Sequence, residues 1–206
     1  MTAASSPAEP RNARQAPRYN TTAIVLHWLV AAMLLIAVFA GLLAAQADDS
    51  EVRRLVDMHK SLGLTLLGLV TLRILWRLAH RPPPLPPGYP KRDRIVSHVV
   101  HAALYVIMLA LPVTGYIHDS AWKLAASHPI VLYGLVPFPR IGWIENLAPA
   151  SKEQVHSIFS AAHVYIGYAL YALVGLHLLG VAKHHVVDHE EELQRMLPAP
   201  YQPPDR

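Results

Sequence analysis

The sequence predicts an all-α integral membrane protein, a four-helix bundle with its N and C termini on the cytoplasmic side. Three observations predict it. The chain of 206 residues is 53% hydrophobic and only 16% charged, which is oily for a soluble domain. No Lys, Arg, Asp or Glu occurs between Tyr19 and Ala47, and about 20 apolar residues suffice to cross a bilayer. Basic residues collect in alternate connecting segments, as expected when positive charge stays cytoplasmic.

The elements follow in order. Residues 1–20, "MTAASSPAEPRNARQAPRYN", are small, polar and proline-containing and read as a disordered cytoplasmic tail. The apolar run after it is too long for the h-region of a signal peptide. The first span is expected over about 22–45, and the second, "MHKSLGLTLLGLVTLRILWRLAH", over about 58–78 with Arg73 and Arg77 near its far end. The linker "RPPPLPPGYPKRDR" cannot continue a helix and reads as stiff and extended. The third span, "IVSHVVHAALYVIMLALPVTGYIH", is expected over about 95–117. A segment of mixed character with Trp122, Trp143 and several prolines follows, read as an interfacial loop with a short surface helix. The fourth span is expected over about 160–182, in an uncharged stretch that starts at Gln154. Together these make one domain over 21–197, with 198–206 as a C-terminal tail.

Orientation rests on the loops. Arg11, Arg14 and Arg18 precede the first span, and Arg81, Lys91, Arg92 and Arg94 stand in the proline-rich linker against Asp93 alone. The loop "DDSEVRRLVD" between spans one and two carries four acids and two arginines. The termini and the linker therefore face the cytoplasm, and the other loops face outward. A net charge of +4 distributed this way is no nucleic-acid signal.

The absence of cysteine excludes disulfides, iron–sulfur clusters and thiolate metal sites. Thirteen histidines are many for this length, and a histidine inside a span is a functional hypothesis by default. Four of them fall at two depths. His27 and His177 lie near the cytoplasmic ends of spans one and four, and His59 and His163 open spans two and four on the outer side. His163 and His177 are fourteen residues apart, close to four turns, so both rings leave one helix face about 21 Å apart. Pairing His27 with His177 and His59 with His163 gives two bis-imidazole sites stacked across the bilayer. Haem b suits such sites, because two axial imidazoles complete haem iron, whereas zinc requires four protein or solvent ligands. The macrocycles would then pack between the helices.

Gly63 and Gly167 each lie four residues after a histidine, where a bulky side chain would strike a porphyrin; close helix packing accounts for the same glycines. Arg73 is fourteen residues after His59, at the depth of His27 and His177. Arg73 or Arg77 could pair with a haem propionate, while snorkelling to the headgroups explains Arg77 equally well. His98 and His101 share a face at the start of span three. They suit a quinone pocket or a propionate contact, and one of them is a rival partner for His177. His118, His128, His156, His185 and His189 read as surface or interfacial residues, with His156 as an outer-level substitute.

The stretches "LHW", "MHKSLG", "SHVVHAALYVIMLALPVTGYI", the His–x13–His fourth span running into "AKHH", and the trailing "LQRMLP" resemble the prokaryotic cytochrome b561 family, above all its small stand-alone members that include superoxide oxidase. The resemblance covers about residues 20–197. It implies two haem b groups held by His27, His59, His163 and His177. It also implies a bacterial inner-membrane protein that passes electrons from a periplasmic-side donor, superoxide in superoxide oxidase, to ubiquinone near the cytoplasmic haem. His184, seven residues beyond His177, and Lys91 of the linker match the quinone neighbourhood.

Steering of an anionic donor could come from Arg53, Arg54, Lys60 and Lys152, although the first outer loop is net acidic. A second reading is a cytochrome b subunit relaying electrons between the quinone pool and a separate periplasmic dehydrogenase or hydrogenase. A third, a histidine-rich metal transporter, is disfavoured because the predicted spans hold no Asp or Glu.

Overall fold

The computed structural model describes residues 18–84, 90–188 and 193–198; most of the expected N-terminal tail, the middle of the proline linker, His189 and the last residues of the C-terminal tail lie outside them. Four helices are long and apolar enough to cross a membrane: α1 (Thr21–Ala44), α2 (Asp49–Ala79), α3 (Lys91–Ser120) and α5 (Pro149–Ala182), with the short α4 (Gly142–Glu145) between the last two. The expected bundle is present, and its outward faces carry exposed Leu35, Ile36, Phe39, Leu75 and Val106, as a bilayer solvent requires.

The helices outrun the predicted spans. α2 begins at Asp49 rather than 58, because Asp49 and Glu51 in its first turn complement the helix dipole and Arg53–Asp57 and Arg54–Glu51 pair along its surface. α5 begins at Pro149, where proline's fixed φ suits the first helical position. Hydropathy marks only the part of each helix that crosses the membrane. Asn20 caps α1, its Oδ1 accepting from the Ala23 amide at 2.8 Å. Pro112 sits inside α3 without ending it, as membrane helices allow.

The outer loop departs from a purely helical expectation. Besides α4 it folds a two-stranded antiparallel hairpin, β1 (Ile130–Leu132) with β2 (Val136–Phe138), registered Ile130 to Phe138. Tyr133 and Gly134 at its turn have φ of 52° and 72°, a conformation costly for tyrosine. It is held by α2: the Tyr133 amide donates to Ser61 Oγ at 2.9 Å, and the Tyr133 hydroxyl meets Thr65 Oγ1 at 2.8 Å. Asp119, at the end of α3, ties the loop further, bonding Lys60 Nζ at 2.6 Å and Arg140 Nε at 2.8 Å. Arg140 also donates to the Ala125 and His128 carbonyls at 2.7 and 2.6 Å.

Packing pairs α1 with α2 and α3 with α5, while α2 also meets α3. Val30, Ala37, Leu62, Leu66 and Val70 form one core between α1 and α2; Val100, Leu104 and Leu170 form another between α3 and α5. The helix pairs leave a looser seam where α5 faces α1 and α2. At the inner end, the Tyr19 amide donates to the Arg195 carbonyl at 3.3 Å and Trp28 Nε1 to the Met196 carbonyl at 2.7 Å. Both described chain ends therefore lie at the same end of the bundle.

Candidate haem sites and the family

The seam holds the histidines. His59 of α2 faces His163 of α5 with ring centroids 5.9 Å apart and planes at 86°. One end of α5 lower, His177 faces His27 of α1 at 6.5 Å and 66°. Two imidazoles on opposite sides of one metal, with bonds of about 2 Å, put their ring centres about 6 Å apart. Both spacings suit that arrangement. α5 runs as unbroken α-helix through His163 and His177, so the levels are separated by about 21 Å of helix rise.

The outer rings are oriented by backbone. His59 Nδ1 lies 2.7 Å from the Ala37 carbonyl of α1, and His163 Nδ1 lies 3.0 Å from the Leu111 carbonyl of α3. A carbonyl only accepts, so Nδ1 carries the proton and Nε2 keeps its lone pair for a metal. Thr114 Oγ1, 3.2 Å from His163 Nδ1, adds a further contact. Each accepting carbonyl is followed one turn later by a glycine against the same ring. A Cβ on Gly41 would lie 3.0 Å from His59 Nδ1, and one on Gly115 would lie 3.1 Å from His163 Cε1. These two glycines were missed, although a signal was present. Gly41 is fourteen residues after His27, and Gly115 is fourteen after His101. Helices α1 and α3 thus carry histidine at the inner level and glycine at the outer, on one face each. Gly63 and Gly167, by contrast, meet nothing within 4 Å of an added Cβ. The same holds for Gly68, Gly175 and Gly180, so open space does not set these two apart.

The inner level is more crowded. His101 also faces His177, at 5.2 Å and 78°, and its Nδ1 meets the Ser97 carbonyl of its own helix at 2.7 Å, which leaves its Nε2 free just as at the outer rings. The His27 spacing is nearer to a trans pair about one metal. Arg73 reaches this level from α2: its Nε donates to Tyr105 Oη at 3.1 Å and its guanidinium lies 5.8 Å over the Tyr105 ring. Arg77 also lies over Tyr105, at 6.0 Å.

The remaining expected residues are placed as follows. His156 stacks on His118 at 4.4 Å and its Nδ1 donates to the His118 carbonyl at 3.0 Å. The two are half-buried together rather than free at the surface. His184 lies in a π-helical turn, Lys183–Val187, that continues α5, and its Nδ1 is 2.8 Å from Asp188 Oδ2. Lys183 bridges Asp188 at 2.7 Å and Asp93 at 3.0 Å, tying this turn to the start of α3, where Lys91 is exposed. The hydrogen bond from Lys183 lowers the Asp188 carboxyl below its usual range.

Residues 18–199 match the family model described as prokaryotic cytochrome b561. The chain belongs to the prokaryotic cytochrome b561 family. Relatives span nearly the whole chain. "Cytochrome b561 homolog 2" of Escherichia coli (strain K12) is 27% identical over 87% of this chain and 91% of its own. "Probable superoxide oxidase CybB" of Yersinia pestis is 29% identical over 88% and 96%. "Cytochrome b561 homolog 1" of Escherichia coli is 21% identical over 88% and 97%. As a cytochrome b561 family member, the chain is a bacterial membrane electron-transfer protein, and the family implies haem b. The donor set fits that group: two facing pairs of imidazoles, with the outer Nδ1 atoms already committed to backbone carbonyls.

Proposed function

We propose that this cytochrome b561 family member carries two haem b groups and passes electrons from superoxide, on the periplasmic side of the inner membrane, to ubiquinone, with both termini cytoplasmic. The observation that carries this reading is the pair of facing histidine rings at each of two levels of α5. His27 with His177 would hold one group and His59 with His163 the other, and Arg73 would pair with a propionate. Bound there, haem iron supplies a reversible one-electron carrier.

The chain's own residues do the rest. Ala37 and Leu111 hold the outer rings by their carbonyls, and the packed pairs α1/α2 and α3/α5 keep the two levels at a constant spacing. At the inner end, His184 and Lys91 would donate hydrogen bonds and protons to the quinone oxygens. Asp188 orients His184, and the Lys183–Asp93 bridge brings the start of α3 alongside it. At the outer end, the cations counted from sequence are largely engaged: Lys60 by Asp119, Arg53 by Asp57, Arg54 by Glu51, and Lys152 by the Glu145 carbonyl. Steering of an anion is therefore weaker than the count of positive residues suggests.

Stopped-flow reduction of the purified holoprotein by superoxide, with and without added ubiquinone, tests the reading. Rapid reduction abolished by superoxide dismutase, followed by quinone-dependent reoxidation, is expected. No reduction by superoxide refutes it and leaves the relay to a periplasmic dehydrogenase or hydrogenase. One observation favours that second reading: Leu135 and Val136 at the outer hairpin are 81% and 56% exposed and Trp143 of α4 is 70% exposed, apolar side chains that a partner would cover.

A further inference from the structure

A cavity of about 210 Å³ opens at the inner end of α1 and α2, lined by Arg18, Arg73, Arg77, His80 and Arg81, with no acidic side chain among its described lining residues. Its walls are aromatic and ordered. Trp76 stacks on His80 at 3.8 Å and donates to Asn20 Oδ1 at 3.1 Å. Arg77 lies over Tyr105. Neither Arg77 nor Arg81 forms an ion pair with a described carboxylate, although both stand beside other guanidiniums. Such a set of like charges in a shared hollow attracts an anion. A propionate beside Arg73 would leave Arg77, one turn further along α2, and Arg81, just beyond its end, without a counter-charge.

A second, larger hollow of about 390 Å³ adjoins it through Arg18 and Tyr19, which line both. It is lined on α1 by Ile24, Val25, Trp28 and Leu29, and Val25 and Leu29 are exposed on the bilayer-facing surface. A cationic hollow at headgroup depth thus continues into an apolar trough running down a membrane helix. A quinone's carbonyls accept hydrogen bonds but bring no negative charge to balance several guanidiniums; a free phosphate leaves the apolar trough unfilled.

We propose that the joined cavities bind an anionic glycerophospholipid, its phosphate against Arg77 and Arg81 with Arg18 at the rim, and an acyl chain along Ile24, Val25 and Leu29. Basic pockets between membrane helices on the cytoplasmic side recognise such headgroups. The site is separate from the turn around His184 proposed for quinone.

The holoprotein in dodecyl maltoside micelles with equal amounts of palmitoyl-oleoyl phosphatidylglycerol and phosphatidylethanolamine is the test system, with retained lipid read by native mass spectrometry. The wild type is expected to retain phosphatidylglycerol preferentially. The double substitution Arg77→Gln/Arg81→Gln should reduce that preference about tenfold or more, each arginine near a headgroup contributing about 1 kcal/mol. Arg81→Gln alone, at an exposed residue beyond the end of α2, guards against a folding defect and should show a smaller loss. An unchanged preference in both variants overturns the proposal. So does loss of a b-type spectral component from the double variant with lipid retention intact, which would assign the cavity to propionates. Equal competition by inorganic phosphate or chainless glycerophosphoglycerol overturns the lipid assignment in favour of a simple anion site. The haem spectrum and the lipid ratio are independent readouts, so failure here is distinguishable from failure of the di-haem reading.

Discussion

Replacing Gly41 by alanine sets two effects of opposite sign against each other. In a helix interior, alanine is favoured over glycine by about 1 kcal/mol, so the helix itself should gain. The new Cβ, however, would stand 3.0 Å from His59 Nδ1 and 3.1 Å from Cε1, inside the roughly 3.5–4.0 Å at which non-bonded carbon atoms rest. The ring must retreat by a few tenths of an ångström from the helix that holds it. Its hydrogen bond to Ala37 starts at 2.7 Å; losing the bond costs about 0.5–1.5 kcal/mol. Contacts of this kind behind a ligating histidine change affinity for the metal group by about 10–100-fold. The expected result is a protein as thermally stable without haem as the wild type, or more so, that purifies with the outer haem depleted and the inner haem retained. Redox-titrated difference spectra resolve the two components, and haem content is read by extraction. Gly115→Ala should behave alike through His163, whereas Gly68→Ala, whose Cβ would meet nothing within 4 Å, should leave both components in place. Full occupancy and unchanged potentials in Gly41→Ala and Gly115→Ala would refute the reasoning that these glycines seat the outer rings.

Further outcomes follow from the same geometry. His27→Ala should remove one b-type component and His59→Ala the other; loss from His101→Ala with His27→Ala silent would reverse the inner pairing. Asp119→Ala leaves the Arg140 side chain, 5% exposed, buried without its carboxylate. A cost of about 3 kcal/mol is expected, visible as a lowered melting temperature and faster proteolysis within residues 121–148. His184→Gln should slow quinone-dependent reoxidation while leaving haem content and the superoxide-driven step unchanged; equal slowing of both steps would count against a quinone role. The Asp188 carboxyl is held low by Lys183, so its contribution to this turn is present above the ordinary carboxylate range. That contribution is lost only as pH falls through the lowered value. Hydrogen exchange of residues 183–188 should accordingly stay protected at pH 5 in the wild type and be faster in Asp188→Asn.

The helical architecture was legible because a bilayer leaves few choices. A chain without charge from Tyr19 to Ala47 must satisfy its backbone internally, and helices do so. The histidine depths were legible for a similar reason: helix rise converts His163 and His177 directly into two levels on one face. The helix starts at Asp49 and Pro149 were not legible from hydropathy, because dipole and capping effects set them outside the membrane.

What the sequence by itself determined is therefore the number of spans, the imidazoles each brings and their depths, since these depend only on local periodicity and solvent. The tertiary structure decided which helices share a core and which face across a seam. It showed that Ala37 and Leu111 accept from the outer rings, that Gly41 and Gly115 make room for them, and that His101 crowds His177. It also brought Arg18 into one cavity with the distant pair Arg77 and Arg81. Such relations join residues on different helices, and the packing of one surface against another has no signature in a single chain's order.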